Sequence, residues 1–320
     1  MFRIGILGAA DIAFNKFIPA LMKVEGVECA GVASNSPDKL KRFVEKYNVH
    51  VYSSYNEVIG DDSVDCVYIP LPPAFHYEWA KKALLAGKHV FLEKPSTTSA
   101  DDTKELVRIA GEKGLVVQEN YMFQFHSQLN EIENFIASGE LGKLRLVRTS
   151  FGFPRRAEGD FRYVKELGGG TMMDNGGYTI KLIDMLLGES MRLVSSQLDY
   201  DEKTGIDIFG TAEFVNDDGV IAQAAFGMDC QYQCSLELWG SRGRLTTGRI
   251  YTAPDGFKPV ALVETGAGSR YAELPSCDAF EESIKMYLRA VEDERLRESM
   301  AHELVRQAEF VDDVRGMDRK

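Results

Sequence analysis

Apolar residues fall into two textures along the chain. Up to about residue 122, short apolar runs alternate with segments whose apolar positions recur every three or four residues. The runs at 2–9, 27–33, 64–70, 89–93 and 115–118 are short and nearly continuous, which predicts strands buried on both faces. Periodic segments between them predict helices through Phe17, Leu21 and Met22, and over 38–47, 74–86 and 100–113, with Gly114 as the stop of the last. Pro70, Pro72 and Pro73 bar a helix directly after the third run. Repeated strand–helix units predict a doubly wound parallel sheet.

Beyond residue 122 the pattern changes. One helix, 126–138, leads to a long strand at 144–153 and then to a glycine-rich helix in which Ile180, Ile183, Leu186 and Leu187 stand at helical spacing before Gly188. Strands follow at 193–200, 206–215, 220–228, 233–239, 244–250 and 259–264, separated by turns such as Asn216-Asp217-Asp218-Gly219 and Gly240-Ser241-Arg242-Gly243. Hairpin order predicts an antiparallel sheet. Helices near 278–293 and 298–315 close the chain. The expected organisation is an α/β domain over 1–122 and an α+β domain over 123–320, whose C-terminal helices can pack back on the first.

Composition narrows the function. The 320 residues are 44% hydrophobic and 27% charged, as in an ordinary globular protein. A net charge of -12, spread along the chain, argues against a nucleic-acid backbone or an anionic membrane as partner. No apolar run is long enough to span a bilayer, and Met1-Phe2-Arg3-Ile4 leads straight into a strand, so no signal peptide is expected. Five cysteines are an odd number, and Cys230 and Cys234 lack the spacing of a zinc site. Free thiols, no metal and a cytoplasmic location are expected.

The first strand runs into Gly8-Ala9-Ala10-Asp11-Ile12-Ala13, an outline of the dinucleotide turn with alanines at the second and third glycine positions. The helix start there would offer N–H groups to a pyrophosphate. The second strand ends in Ser34 and Asn35, where NAD-binding folds place an acid, and Lys39 and Lys41 follow. A missing carboxylate and nearby cations favour the 2′-phosphate of NADP, with NAD as the alternative; a plain turn with solvated lysines is the other reading. Leu71, Pro72 and His76 follow the third strand, Glu93 and Lys94 the fourth, and Asn120 the fifth, all at carboxyl ends where ligands bind such sheets. His76 is equally a capping or packing residue. Pro95 restricts the backbone of Lys94 and admits a cis bond, which makes this lysine a better catalytic candidate than one on a helix surface.

Gly168-Gly169-Gly170 opens the helix carrying Asp174, Tyr178 and Lys181 at spacings of four and three, which a regular helix puts on one face. A carboxylate, a phenol and an amine there could move protons, or could be a solvated face.

Together the turn at Gly8, Glu93-Lys94-Pro95, and Gly168-Gly169-Gly170-x-x-x-Asp174-x-Gly176 resemble the glucose–fructose oxidoreductase / inositol dehydrogenase (Gfo/Idh/MocA) family over nearly the whole chain. The resemblance implies an N-terminal Rossmann domain and a C-terminal α+β domain with an open, mostly antiparallel sheet that forms homodimer or homotetramer contacts. Lys94 matches the family's catalytic lysine and Asp174 its helix aspartate. Tyr178 replaces the usual histidine and Lys181 a usual second aspartate. Tyrosine there is similar to the nucleotide-sugar 3-ketoreductases. Those enzymes also share Ile69-Pro70-Leu71-Pro72, Glu119-Asn120-Tyr121-Met122-Phe123, Asp160-Phe161-Arg162-Tyr163 and Leu238-Trp239-Gly240-Ser241-Arg242-Gly243. The implied activity is NADPH-dependent reduction of a ketone on a nucleotide-linked sugar. Tyr178 would be the acid and Lys94 its helper, with Asp174 in the catalytic set. Tyr121, Arg162, Tyr163, Asn175 and Lys181 are candidate substrate contacts, Arg162 and Tyr163 being as readily loop packing. Dehydrogenation of a free sugar, inositol or cyclic diol is the alternative. A cofactor-sensing regulator without turnover, as in a fungal corepressor of the family, is a third.

Overall fold

A computed structural model describes residues 1–157 and 159–317; the end of the expected second domain, 318–320, lies outside them. The chain forms two compact units, one of Met1–Asn120 and Phe280–Ala308, the other of Tyr121–Ala279 and the chain from Glu309 on.

In the first unit, strands β1 (Phe2–Leu7), β2 (Val27–Ala33), β3 (Cys66–Ile69), β4 (His89–Leu92) and β5 (Val117–Glu119) form a parallel sheet in the order β2-β1-β3-β4-β5. Their apolar continuity reflects burial on both faces: Ile4, Ile6, Val67, Ile69, Val90 and Leu92 are wholly covered. Outside β2 the backbone of Val51 adds a single parallel bridge to Val32. Counting that bridge as a strand gives the 3-2-1-4-5-6 order of dinucleotide-binding sheets, with its switch point between β1 and β3. Between strands, local chemistry sets the helix ends. Helix Ala100–Lys113 starts where Ser99 Oγ accepts the Asp102 N–H, and stops at Gly114 with φ 66°. A short helix at Tyr55–Gly60, capped by Ser54, interrupts a stretch that carries no strong periodic signal.

In the second unit eight strands make one sheet: β6 (Leu144–Gly152), β7 (Arg192–Tyr200), β8 (Asp207–Val215), β9 (Ile221–Gly227), β10 (Gln233–Gly240), β11 (Gly243–Gly248), β12 (Val260–Thr265) and β13 (Gly268–Glu273). β6 breaks the hairpin order. It lies between β9 and β10, pairing parallel with the first and antiparallel with the second, so neither β6 and β7 nor β9 and β10 are neighbours. β11 ends before the expected residue 250 because Arg249 turns to φ 52°. Alternate residues of β6, Val147, Thr149 and Phe151, face the core with Ala222, Ala224 and Phe226 of β9 and Leu236 and Leu238 of β10. The helix Gly177–Leu187 joins this core through Ile180, Leu182 and Ile183.

Candidate functional site

Two groups of candidate residues take shape, one in each unit. In the first, β1 ends at Gly8, whose φ of 115° suits glycine. A Cβ there would lie 2.8 Å from Leu71 Cδ2, beyond β3. Thus the Gly8 turn and the half-buried Leu71 and Pro72 flank the switch point, where open parallel sheets bind ligands. The turn runs on through Ala10, Asp11 and Ile12 into one π-helical turn, Ala13–Phe17. Wide turns of this kind recur at functional sites. β2 runs into Ser34 and Asn35: Ser34 Oγ accepts the Ser36 N–H at 3.0 Å, and Asn35, Asp38 and Lys39 are exposed. Arg42, absent from the sequence expectations, reaches back from the helix Pro37–Tyr47 to Asp11 at 2.6 Å and the Ala9 carbonyl at 3.3 Å. Its approach to the Gly8 turn depends on helix phase, which adjacent lysines obscure. A glycine turn, open ends of β1 and β3, and Ser34 and Asn35 rather than a carboxylate directly after β2 fit a phosphorylated dinucleotide.

The carboxyl ends of β3, β4 and β5 are tied together. Glu93 Oε1 accepts from Tyr68 Oη at 2.7 Å and Asn120 Nδ2 at 2.9 Å, while Asn120 Oδ1 accepts from Ser283 Oγ at 2.9 Å. Removal from water raises the Glu93 pKa above its ordinary value, against those two hydrogen bonds and the charge of Lys94. Glu119, which sequence reasoning missed, accepts the Ser96 N–H at 2.6 Å. Lys94 is half-buried, and the Lys94–Pro95 bond is cis. His76, expected at the cofactor, is wholly buried, with Nδ1 2.7 Å from the Pro95 carbonyl oxygen and Nε2 2.7 Å from that of Leu71. Burial lowers its pKa, opposed by these carbonyls.

In the second unit the three glycines do different work. Gly168 and Gly170 have φ of 78° and 121°. A Cβ on Gly169 would meet the Arg162 carbonyl oxygen at 2.5 Å, so the loop at 162–164 and the glycines fit only backbone to backbone. Asp207 of β8 accepts the Met172 N–H at 2.6 Å and fills the space a Gly170 side chain would need. It stands 35 residues away in sequence, and no local pattern announced it. A second π-helical turn, Met172–Gly176, precedes the helix Gly177–Leu187. Asp174 lies inside this wide turn and Tyr178 in the first turn of the helix after it.

Their surroundings differ accordingly. Asp174 pairs with Arg162 Nε at 2.8 Å, and Arg162 Nη1 also reaches Asp160 at 3.1 Å. Both carboxylates raise the arginine's pKa, although burial acts first in the opposite direction. Tyr178 instead sits among aromatic rings: Tyr121 edge-on at 4.8 Å, Phe151 edge-on at 5.2 Å and Phe123 tilted at 5.6 Å. Its hydroxyl donates to the weakly accepting Sδ of Met122 at 3.7 Å. Tyr121, expected at the substrate, lends its buried ring to this wall. Asn175, with the same expectation, is wholly buried; its Nδ2 donates to the carbonyls of Phe151 and Gly227 at 2.6 and 3.0 Å. Tyr163 Oη bridges within the loop, accepting the Arg156 N–H at 3.0 Å and donating to the Met228 carbonyl at 3.2 Å. Lys181 is buried on the helix.

The parallel sheet with its glycine turn, joined in one chain to a glycine-opened tyrosine helix on a large mixed sheet, defines a nucleotide-dependent oxidoreductase of two units. Residues 2–121 match the oxidoreductase family with an NAD-binding Rossmann fold, and residues 129–246 match the GFO/IDH/MocA C-terminal domain. The chain belongs to the Gfo/Idh/MocA oxidoreductase family. It is 36% identical over 313 residues to a dTDP-3,4-didehydro-2,6-dideoxy-alpha-D-glucose 3-reductase of Actinomadura kijaniata, covering 98% of this chain and 94% of that protein. With the Streptomyces violaceoruber protein of the same name the identity is 37% over 323 residues, covering 98% and 94%. The crystal structure of KijD10, a 3-ketoreductase from Actinomadura kijaniata in complex with NADP and TDP-benzene, superposes with a TM-score of 0.95 at 35% identity, over 99% of this chain and 97% of that one.

Proposed function

We propose that this enzyme reduces a ketone on a nucleotide-linked sugar, with NADPH as cofactor. The observation that carries the reading is the end-to-end likeness to 3-ketoreductases, one of them with NADP and a TDP compound bound. NADPH supplies the hydride. The protein's share is the proton and the field around the carbonyl oxygen. A phenol is neutral at pH 7, so Tyr178 can give its proton as charge grows on that oxygen. Its ring is fixed by the aromatic side chains packed around it, and its hydroxyl donates to Met122 Sδ at 3.7 Å. Lys94 supplies the positive charge that steadies the oxyanion and the phenolate left behind. Asp174 holds Arg162, and the pair fixes the loop beside the glycines.

NADPH oxidation followed by absorbance tests this, comparing nucleotide-linked ketosugars with free sugars and cyclic ketones. Turnover only with the linked substrates supports the reading. Turnover only with the free ones would shift it to a free-sugar or diol dehydrogenase, and tight NADPH binding without turnover to a sensor.

We also propose that the enzyme works in the cytoplasm as a homo-oligomer through the outward face of the eight-stranded sheet. That face exposes Trp239 (54%) and Tyr271 (78%) together with Phe209, Ile221 and Val260, more apolar surface than scattered residues explain. Trp239→Glu is expected to shift the mass measured by light scattering toward the monomer. An unchanged mass would move the contact elsewhere.

A further inference from the structure

The ring of His76 spans the loops that follow the paired strands β3 and β4. It opens the helix His76–Leu85 and is wholly buried. One nitrogen meets the carbonyl of Leu71, two residues past β3, and the other that of Pro95, the residue directly after Lys94, each at 2.7 Å. No other side-chain type offers two nitrogens held rigidly on opposite edges of a ring. Nearby, Ser96 is fixed from the other side, its N–H donating to Glu119 and its hydroxyl meeting that of Thr103 at 3.0 Å. The backbone on which Lys94 stands is therefore held after the lysine by a histidine clasp and a serine anchor. The same clasp holds Leu71, which covers Gly8 at the first turn.

We propose that His76 is a positioning residue. It sets Lys94 and the Leu71 loop in one register, so the lysine's ammonium is held where the reaction needs it. The inference rests on the reading that Lys94 takes part in the reaction. His76 acts through the carbonyls of Leu71 and Pro95. Its loss lowers kcat while KM and cofactor affinity stay near those of the intact enzyme.

The test measures kcat, KM, the NADPH dissociation constant by fluorescence, and Tm in His76→Ala, His76→Gln, His76→Gly and Lys94→Ala. His76→Ala is expected to lower kcat about 10- to 100-fold, as a misplacement of about 1 Å does. NADPH affinity should change less than about threefold, the range of context effects on a remote contact. His76→Gln, whose amide NH2 can donate to one of the two carbonyls while its oxygen can bond neither, should fall between Ala and the native enzyme. Added imidazole should restore kcat saturably in His76→Gly but leave Lys94→Ala unchanged. Native kcat in His76→Ala with an inactive Lys94→Ala would overturn the inference alone. Full activity in Lys94→Ala would overturn the reading of the lysine. Parallel loss of Tm, NADPH binding and kcat in every His76 variant, without imidazole rescue, would make the ring a fold element only.

Discussion

The two units surround their candidate groups in opposite ways. At the strand ends of the parallel sheet, polar groups meet polar partners: Glu93 accepts from Tyr68 and Asn120, Asn120 from Ser283, and each ring nitrogen of His76 lies 2.7 Å from a backbone carbonyl oxygen. Around Tyr178 the walls are rings, and its hydroxyl donates to a thioether, Met122 Sδ. Hydrogen bonds of known direction fix geometry and favour particular charge states. Aromatic walls fix a ring by packing and shape. The first arrangement suits holding a cofactor and a lysine in place. The second suits a proton donor.

Breaking the second arrangement should have the largest effect. Tyr178→Phe removes one oxygen from a ring packed on every side, so fold and NADPH binding should persist while kcat falls about 10²- to 10⁴-fold. Stopped-flow turnover beside a fluorescence titration checks both halves. Gly170→Ala comes next. It forces φ of 121° on a residue with a Cβ and drives that carbon into the Asp207 carboxylate. A loss of about 3 kcal/mol in urea unfolding is expected. Asp174→Asn leaves Arg162 with one carboxylate instead of two. Both partners keep some exposure, 20% and 11%, so the expected cost is about 2 kcal/mol, below that of a fully buried pair.

The smallest effect sharpens the comparison from the first unit. Because the raised Glu93 pKa lies above its unfolded value, the folded protein holds this proton more tightly than the unfolded chain. Stability is therefore lost as pH rises from the ordinary carboxylate range through the raised pKa. Glu93→Gln keeps an oxygen for Tyr68 and Asn120 and removes the charge. Its Tm should exceed that of the native enzyme near pH 8, and the gain should vanish near pH 4, where both states are protonated. A gain independent of pH would show that charge is not the cause.

Much of this was legible in sequence because it is local. Continuous apolar runs announced β1 to β5, and alternation announced most of the second sheet. Lys94 before a proline and Tyr178 after three glycines stood out as patterns. What stayed hidden depends on long-range closure or on helix phase. Asp207 meets Met172 across 35 residues, and β6 enters the sheet between two later strands. The strand Gly268–Glu273 is too polar to announce itself. The two π-helical turns, Ala13–Phe17 and Met172–Gly176, leave no mark in a spacing rule built on 3.6 residues per turn. The internal partners of His76, Asn120 and Asn175 were equally hidden, since Pro95, Ser283 and Gly227 stand 19, 163 and 52 residues away.

The central claim is that Tyr178 delivers the proton to a ketone of a nucleotide-linked sugar. Its most direct test is single-turnover NADPH oxidation with such a ketosugar, in native enzyme and Tyr178→Phe, each saturated with cofactor. The account predicts rapid oxidation in the first and a rate lower by about 10² or more in the second, at equal NADPH occupancy. Equal rates in the two would contradict it and move the proton to Lys94.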